Sequence, residues 1–223
     1  MLPERARALL AASRRTAGFL PEDEADALFA VARRAALSRL GPLLEVGAYC
    51  GRSTLVLAAA LAAADASPPL VCFSVDHHRG SEEMQAGWEA HDPSLVDPAT
   101  GRMDSLPAWR RAVTEAGAED LVVGVVGESS LVAANWSTPL SLAFIDGGHG
   151  SEPAWADYRG WAPHVAPGGF LAFHDVFEDP AAGGRPPYEC FEHARASGAF
   201  VEVPALSRAS LRVLQRVAPE GRR

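Results

Sequence analysis

Five short, mostly apolar runs constrain this chain more than any other feature. They cover residues 43–46, 70–75, 121–126, 141–145 and 170–173. Each stops at a glycine or an acid: Gly47, Asp76, Gly127, Asp146, and the pair His174-Asp175. Helix-patterned stretches separate them. Runs of this length without strict alternation suit strands covered on both faces, and strands that alternate with helices build a largely parallel sheet clothed on both sides. The expected fold class is therefore α/β. Sheets of this kind take ligands in the crevice at the carboxyl ends of the strands, where the strand order reverses. The distinctive polar residues of this chain stand at those ends.

The segments between the runs fill in the organisation. Residues 2–14 and 22–39 read as helices; in the second, Leu28, Phe29, Ala32, Ala36 and Leu40 recur at helical spacing, and Gly41-Pro42 stops it. A helix opens at Ser53-Thr54 and runs to about Ala64, with Ser67-Pro68-Pro69 closing the unit. Residues 77–103 are polar and lack a period, which marks a long loop of functional interest. Further helices are expected near 106–116, after Gly127-Glu128-Ser129-Ser130, near 152–162 and near 188–197. Pro167-Gly168-Gly169 breaks the chain before the fifth run, and a Pro/Gly-rich loop spans 179–187. Two more strands near 199–203 and 210–215 bring the sheet to about seven. The reading is one domain over 1–223, with a helical lead-in at 1–40 and an insertion at 77–103.

Charge and composition narrow the partners. The net charge of −8, from 28 acidic and 20 basic residues, runs opposite to the basic surplus of nucleic-acid binders. Every basic residue is arginine, so no step of any mechanism uses a lysine amine. Three cysteines with no CxxC pair give neither a disulfide framework nor a zinc ribbon. The longest apolar stretch, 55–64, falls far short of the ~20 residues a membrane span needs. The expected setting is the cytoplasm, with no membrane partner and no nucleic acid.

The stretch Glu45-Val-Gly-Ala-Tyr-Cys-Gly-Arg-Ser53 carries the first chemical signal. A glycine turn after the first strand lets a ligand approach the backbone, and the helix that follows offers free N–H groups to an anion. The spacing Gly47-x-x-x-Gly51 is neither the GxGxxG of dinucleotide binders nor a P-loop. Taken alone it could also be a plain packing turn.

This stretch resembles the first motif of the catechol O-methyltransferase family, and the resemblance continues at later strand ends over about residues 40–178. It extends to the small bacterial sugar and antibiotic-tailoring O-methyltransferases of the same fold. The resemblance implies a Rossmann-like class I methyltransferase sheet and S-adenosylmethionine as cofactor. Glu45, Gly47 and Tyr49 would lie at the cofactor, Ser53 would hold its methionine carboxylate, Asp76 its ribose hydroxyls, and Ser129 and Ser130 its adenine. It also implies a divalent metal, magnesium first and manganese second, held by Asp146, His174 and Asp175. Histidine at 174 is a departure, because the family has a carboxylate there. A second departure is His149, which stands where the family carries a lysine that takes the acceptor's proton. Imidazole ordinarily titrates near pH 6.5 and serves as a base at neutral pH.

The acceptor is expected to be a small-molecule hydroxyl. Residues His77, His78 and Arg79, with Trp88, His91 and Asp92 further along the insertion, combine hydrogen-bonding groups with an aromatic, which suits a saccharide or glycosylated metabolite. Phe177, Pro180 and Tyr188 are expected to wall the acceptor pocket. A phenol or catechol is the alternative acceptor. A nicotinamide-dependent oxidoreductase on a similar sheet, and a non-catalytic binding module or related hydroxylase that kept the cofactor fold, are the competing classes. The lead-in has two possible uses, covering the cofactor or pairing with a second copy, and a homodimer is the expected assembly.

Overall fold

The computed structural model describes residues 2–65, 69–88, 90–179 and 181–217. Ser67 and Pro68 of the expected closing turn, and Pro180 of the expected pocket wall, lie outside the described residues.

The chain opens with two helices, α1 (Glu4–Arg15) and α2 (Glu22–Ser38). Arg39 ends the second in the left-handed region, where its N–H bonds back to Ala36. Strand β1 (Leu43–Val46) is buried at all four positions, as a central strand covered on both sides must be. Helix α3 (Arg52–Ala64) follows; Ser53 to Leu61 are buried throughout, because the lead-in packs over it from outside while the sheet lies beneath. Then come β2 (Cys72–Asp76), a two-residue hairpin of β3 (Val96–Asp97) and β4 (Arg102–Met103), α4 (Leu106–Glu115) and β5 (Val122–Val126). The second half is α5 (Ser129–Ala134), β6 (Leu140–Ile145), α6 (Ser151–Trp161), β7 (Val165–Phe173), α7 (Arg185–Ala196), β8 (Phe200–Glu202) and β9 (Arg212–Arg216).

Seven strands form one sheet in the order β5-β2-β1-β6-β7-β9-β8. The first four junctions are parallel, while β9 runs antiparallel to both its neighbours. The chain winds outward from β1 in one direction through β2 to β5, then returns to the other side of β1 for β6 and β7. The order therefore reverses between β1 and β6. Val46 pairs with both Val75 and Ile145, so β1, β2 and β6 end level and present Gly47, Asp76 and Asp146 along one edge.

Successive residues on a strand face opposite ways, and each face has its own core. Leu43, Leu142, Phe144, Phe170 and Ala172 meet the helices α1 to α4. Leu44, Ala143, Ile145, Leu171 and Phe173 meet α5 to α7. Among the described residues, no helix is long and apolar enough to cross a membrane.

Two local expectations change. Pro167-Gly168-Gly169 does not precede the fifth strand; it lies inside β7 as an irregularity, where the register against β6 shifts between Leu140 and Leu142 and Gly168 takes φ +85°. Helix α7 starts at Arg185, three residues earlier than expected, because Pro186 and Pro187 fall in the first turn, where a missing N–H costs nothing.

Candidate active site

A cavity of about 820 Å³ opens at the carboxyl edge of the sheet, over the point where the strand order reverses. Its floor is the turn after β1. Gly47 has φ +87°, and a Cβ there would sit 2.0 Å from the carbonyl oxygen of Asp146, so the exits of β1 and β6 touch backbone to backbone. Tyr49 takes the left-handed region at φ +47°, and Gly51, at φ +99°, leads into α3. The carboxylate of Asp76 holds this turn. Its Oδ2 accepts the N–H groups of Ala48 (2.9 Å) and Tyr49 (2.8 Å), and its Oδ1 accepts that of His78 (2.7 Å). Gly47, Tyr49, Ser53 and Asp76 all line the cavity.

Glu45 does not, which corrects its expected place at the cofactor. It is fully buried beneath the turn, where its Oε2 accepts hydrogen bonds from Thr54 (2.6 Å) and Ser74 (2.5 Å). Burial raises its carboxyl to about 7, against the pull of the neighbouring hydroxyls.

On the far side of Asp76 the cavity is lined by Ser129 and Ser130 at the start of α5. The Ser129 hydroxyl accepts the indole N–H of Trp161 at 2.7 Å. Beside it is Asp157, a buried acid that also lines the cavity and that sequence reasoning missed. Burial raises its carboxyl to about 6. A signal for it was present: Ala154, Asp157, Tyr158 and Trp161 form the buried stripe of α6, and an acid within such a stripe needs a reason.

Asp146, His149 and Asp175 converge at the other end. One ligating atom from each lies within 4.8 Å of the others. The Nδ1 of His149 is 3.0 Å from Glu83 Oε2. Its Nε2 is buried and lies 2.9 Å from Asp175 Oδ2, an ion-pair contact. Burial opposes charge on this imidazole, but Asp175, Glu83 and Asp146 outweigh it and raise His149 to about 9. Asp175 is buried too, and its two histidine neighbours nonetheless hold its carboxyl far below the ordinary range. Its backbone takes φ +54°, in the left-handed region.

His174, expected as a metal ligand, is not part of this group. It is 4 % exposed, and both ring nitrogens are engaged: Nδ1 donates to Asp146 Oδ1 (3.0 Å) and Nε2 to Glu24 Oε2 (2.6 Å). No lone pair is left to face an ion. His149, the expected base, lines the cavity beside Asp146 and Asp175.

The expected acceptor residues divide as well. His77 lines the cavity. His78 is buried, with Nδ1 2.8 Å from Ser105 Oγ, and Arg79 reaches away to the carbonyl of Met103. Phe177 packs against Gly183, and Tyr188 lies beneath the guanidinium of Arg185, 4.5 Å from the ring centre. None of these four borders the cavity. Its outer wall comes from Met84 and Trp88 of the insertion and from Phe19 and Leu20 in the turn between α1 and α2. Phe19 stacks 5.5 Å from Tyr49, ring centre to ring centre. The lead-in therefore helps to cover the cavity.

A glycine turn after the first strand, an acid ending the second, and a crevice at the reversal of a seven-stranded sheet whose penultimate strand is antiparallel together define the class I methyltransferase fold. The model of a methyltransferase domain matches residues 44–176, and the chain belongs to that family. Among solved structures it resembles the O-methyltransferase NovP (18% identity over 85% of this chain and 79% of that one, TM-score 0.63). It also resembles TomG from Streptomyces achromogenes, an O-methyltransferase of tomaymycin synthesis solved with S-adenosylmethionine (17% identity, 98% and 91%, TM-score 0.57). A third is CalS11, a TDP-rhamnose 3'-O-methyltransferase of calicheamicin biosynthesis (16% identity, 95% and 93%, TM-score 0.61).

Proposed function

We propose that this methyltransferase carries the methyl group of S-adenosylmethionine to a hydroxyl oxygen of a small molecule, with a divalent cation at the site and a saccharide or glycosylated metabolite as acceptor. The observation that carries the reading is the continuity of one cavity from Gly47, Asp76 and Ser129 to Asp146, His149 and Asp175. Donor and acceptor ends of a methyl transfer need this adjacency.

The donor end supplies what the cofactor asks for. The free N–H groups at the start of α3, with Ser53, receive a carboxylate. Asp76 has spent three of its acceptor positions on the turn and keeps room for a ribose hydroxyl. Ser129 and Ser130 offer hydroxyls to the adenine.

At the acceptor end, the two carboxylates of Asp146 and Asp175, with ligand atoms within 4.8 Å of each other and of a His149 ring nitrogen, fit a hard divalent cation, magnesium first and manganese second. We assign Asp146 and Asp175 to that ion. In its neutral form His149 has one lone pair to give at Nε2, and because the reaction releases a proton and the chain has no lysine, we assign it to the proton. When bound, the cation would supply a Lewis acid for the acceptor oxygen and would offset the carboxylates that raise His149.

The chain's own residues do the rest. Glu83 holds Nδ1 of His149 and so fixes the ring with Nε2 inward. Phe19, Leu20, Met84 and Trp88 wall the cavity and would hold the acceptor oxygen in line with the S–CH3 bond. As the new C–O bond forms, the S–CH3 bond breaks, sulfur leaves as a neutral thioether, and the hydroxyl proton passes to His149 Nε2.

The saccharide reading is favoured by the mixture of Glu82, Glu83 and His77 with the half-exposed Trp88 at the mouth, polar groups beside an aromatic platform. CalS11 methylates a sugar by its own description. The proposed assembly is a homodimer, which light scattering on the purified chain tests. For the function, calorimetry with S-adenosylhomocysteine and methyl-transfer assays against saccharide and catechol panels, before and after exhaustive chelation, are the test. Expected are binding of the demethylated cofactor, transfer to the saccharides, and loss of turnover on chelation with recovery on adding magnesium or manganese. Full turnover after chelation refutes the cation, and transfer confined to the catechols refutes the acceptor class.

A further inference from the structure

Three consecutive acids open α2, and they do not share a fate. Glu22 and Asp23 are exposed, whereas Glu24 is 2 % exposed. Its Oε1 accepts the backbone N–H (2.6 Å) and the hydroxyl (2.8 Å) of Ser210, the residue two before β9. Its Oε2 accepts the N–H of His174 Nε2 at 2.6 Å. The other face of that ring donates to Asp146 Oδ1 at 3.0 Å and lies 3.3 Å from Asp175 Oδ2. A continuous chain of contacts therefore runs from the lead-in, through His174, to both carboxylates at the acceptor end of the cavity.

Such a pair is a poor device for mere stability. Taking a carboxylate and an imidazolium out of water costs several kcal/mol, and well-packed apolar side chains serve as well or better in that role. What an apolar pair cannot do is hold two carboxylates in a set orientation. Partners of ligating carboxylates do this in metal sites, and their loss typically weakens the metal about 10- to 100-fold. We infer that Glu24 and His174 are positioning residues that orient Asp146 and Asp175 for a divalent cation, which makes the N-terminal lead-in a working part of the metal centre. This inference rests on the proposed cation at those carboxylates. Neither residue touches donor or acceptor; both act through the two aspartates.

The test is a manganese titration of the full chain, followed by the electron paramagnetic resonance of free and bound Mn2+, with S-adenosylhomocysteine affinity measured in parallel. Glu24→Gln is expected to weaken Mn2+ by about tenfold or more and to alter the bound-ion line shape, with cofactor-product affinity unchanged. Ser210→Ala changes no charge and removes one bond from Glu24; it is expected to weaken Mn2+ about threefold, as the loss of one hydrogen bond's ordering would. Asp23→Asn removes a neighbouring charge from the exposed side of α2, where Asp23 pairs with Arg208, and should leave Mn2+ binding as it was. A folded Glu24→Gln that binds Mn2+ like the wild type overturns the inference and leaves Glu24 as a pin between helix and sheet, with the cation reading intact. Equal weakening by Asp23→Asn also overturns it, since bulk charge then explains the effect. If Glu24→Gln fails to fold, Ser210→Ala decides alone, and unchanged affinity there overturns the inference. A wild-type chain that binds no Mn2+ overturns this inference together with the cation reading.

Discussion

The buried carboxyl of Glu45 allows a prediction that can be worked through in numbers. It lies under the turn that forms the cavity floor, and burial raises it from 4.5 to about 7. A raised acid binds its proton more tightly in the folded state than in the unfolded one. Folding is therefore favoured by the full amount below pH 4.5, and that contribution disappears as pH climbs through about 7. At 1.36 kcal/mol per pKa unit, the shift amounts to roughly 3 kcal/mol. Glu45→Gln removes the titration while keeping the shape. The amide oxygen still accepts from Thr54 and Ser74, and the amide nitrogen takes the place of Oε1, which has no partner. That unpaired N–H2 costs about 1–3 kcal/mol at every pH. Because this cost is independent of pH, the comparison across pH is clean. The variant should gain on the wild type by roughly 3 kcal/mol between pH 4.5 and pH 8.5, or about 6–12 °C in Tm for a chain of this size. Urea unfolding of both proteins at several pH values in that window measures it. Other groups titrate alike in the two proteins and cancel. Parallel stability profiles, offset by a constant, would refute the argument that burial governs this carboxyl.

Other predictions concern the cavity itself. Gly47→Ala places a Cβ 2.0 Å from the Asp146 carbonyl in a backbone with φ +87°, so it should lose about 3 kcal/mol or more in urea unfolding and weaken S-adenosylhomocysteine in calorimetry. His149→Ala should lower kcat by about 100-fold or more without changing affinity for the cofactor product, and wild-type turnover would remove His149 from the proton transfer. Trp88→Ala should raise the acceptor KM roughly 3- to 10-fold with the cofactor KM unchanged, as loss of an aromatic platform predicts.

Much of the architecture was legible because it depends on short-range pattern. Leu43 to Val46 had to be a covered strand, and the reversal of strand order had to put Gly47, Asp76 and Asp146 on one edge. What misled was chemistry that depends on distant packing. Pro167-Gly168-Gly169 looks like a break, yet β7 absorbs it because Gly168 supplies a positive φ and β6 can slip its register there. His78 and Arg79 read as acceptor contacts because their side chains carry hydrogen-bonding groups in a polar insertion. The turn at His78, itself at φ +58°, carries one inward to Ser105 and the other away to Met103. Phe19 and Leu20 gave no sign of their role, since nothing local says that the turn between α1 and α2 lies over Tyr49.

The placements of His174 and His149 show where the line between legible and illegible falls. Strand alternation already settles which way residue 174 points. Phe170 and Ala172 face the lead-in side of the sheet, so His174, two further on, faces it too, and Asp146 follows Phe144 to the same side. There the ring meets Phe144 at 6.4 Å and turns its nitrogens to Glu24 and Asp146. Only the partner was hidden, 150 residues away on a helix whose first turn looks like an ordinary acidic cap. His149 follows a strand end by three residues through Gly147-Gly148, and alternation says nothing about it. Its direction is set by contacts from elsewhere, Glu83 on one nitrogen and Asp175 beside the other. His174 supports the site from behind because it carries the alternation of β7 on to the lead-in side, and His149 faces the cavity because Glu83 and Asp175 engage its two nitrogens there.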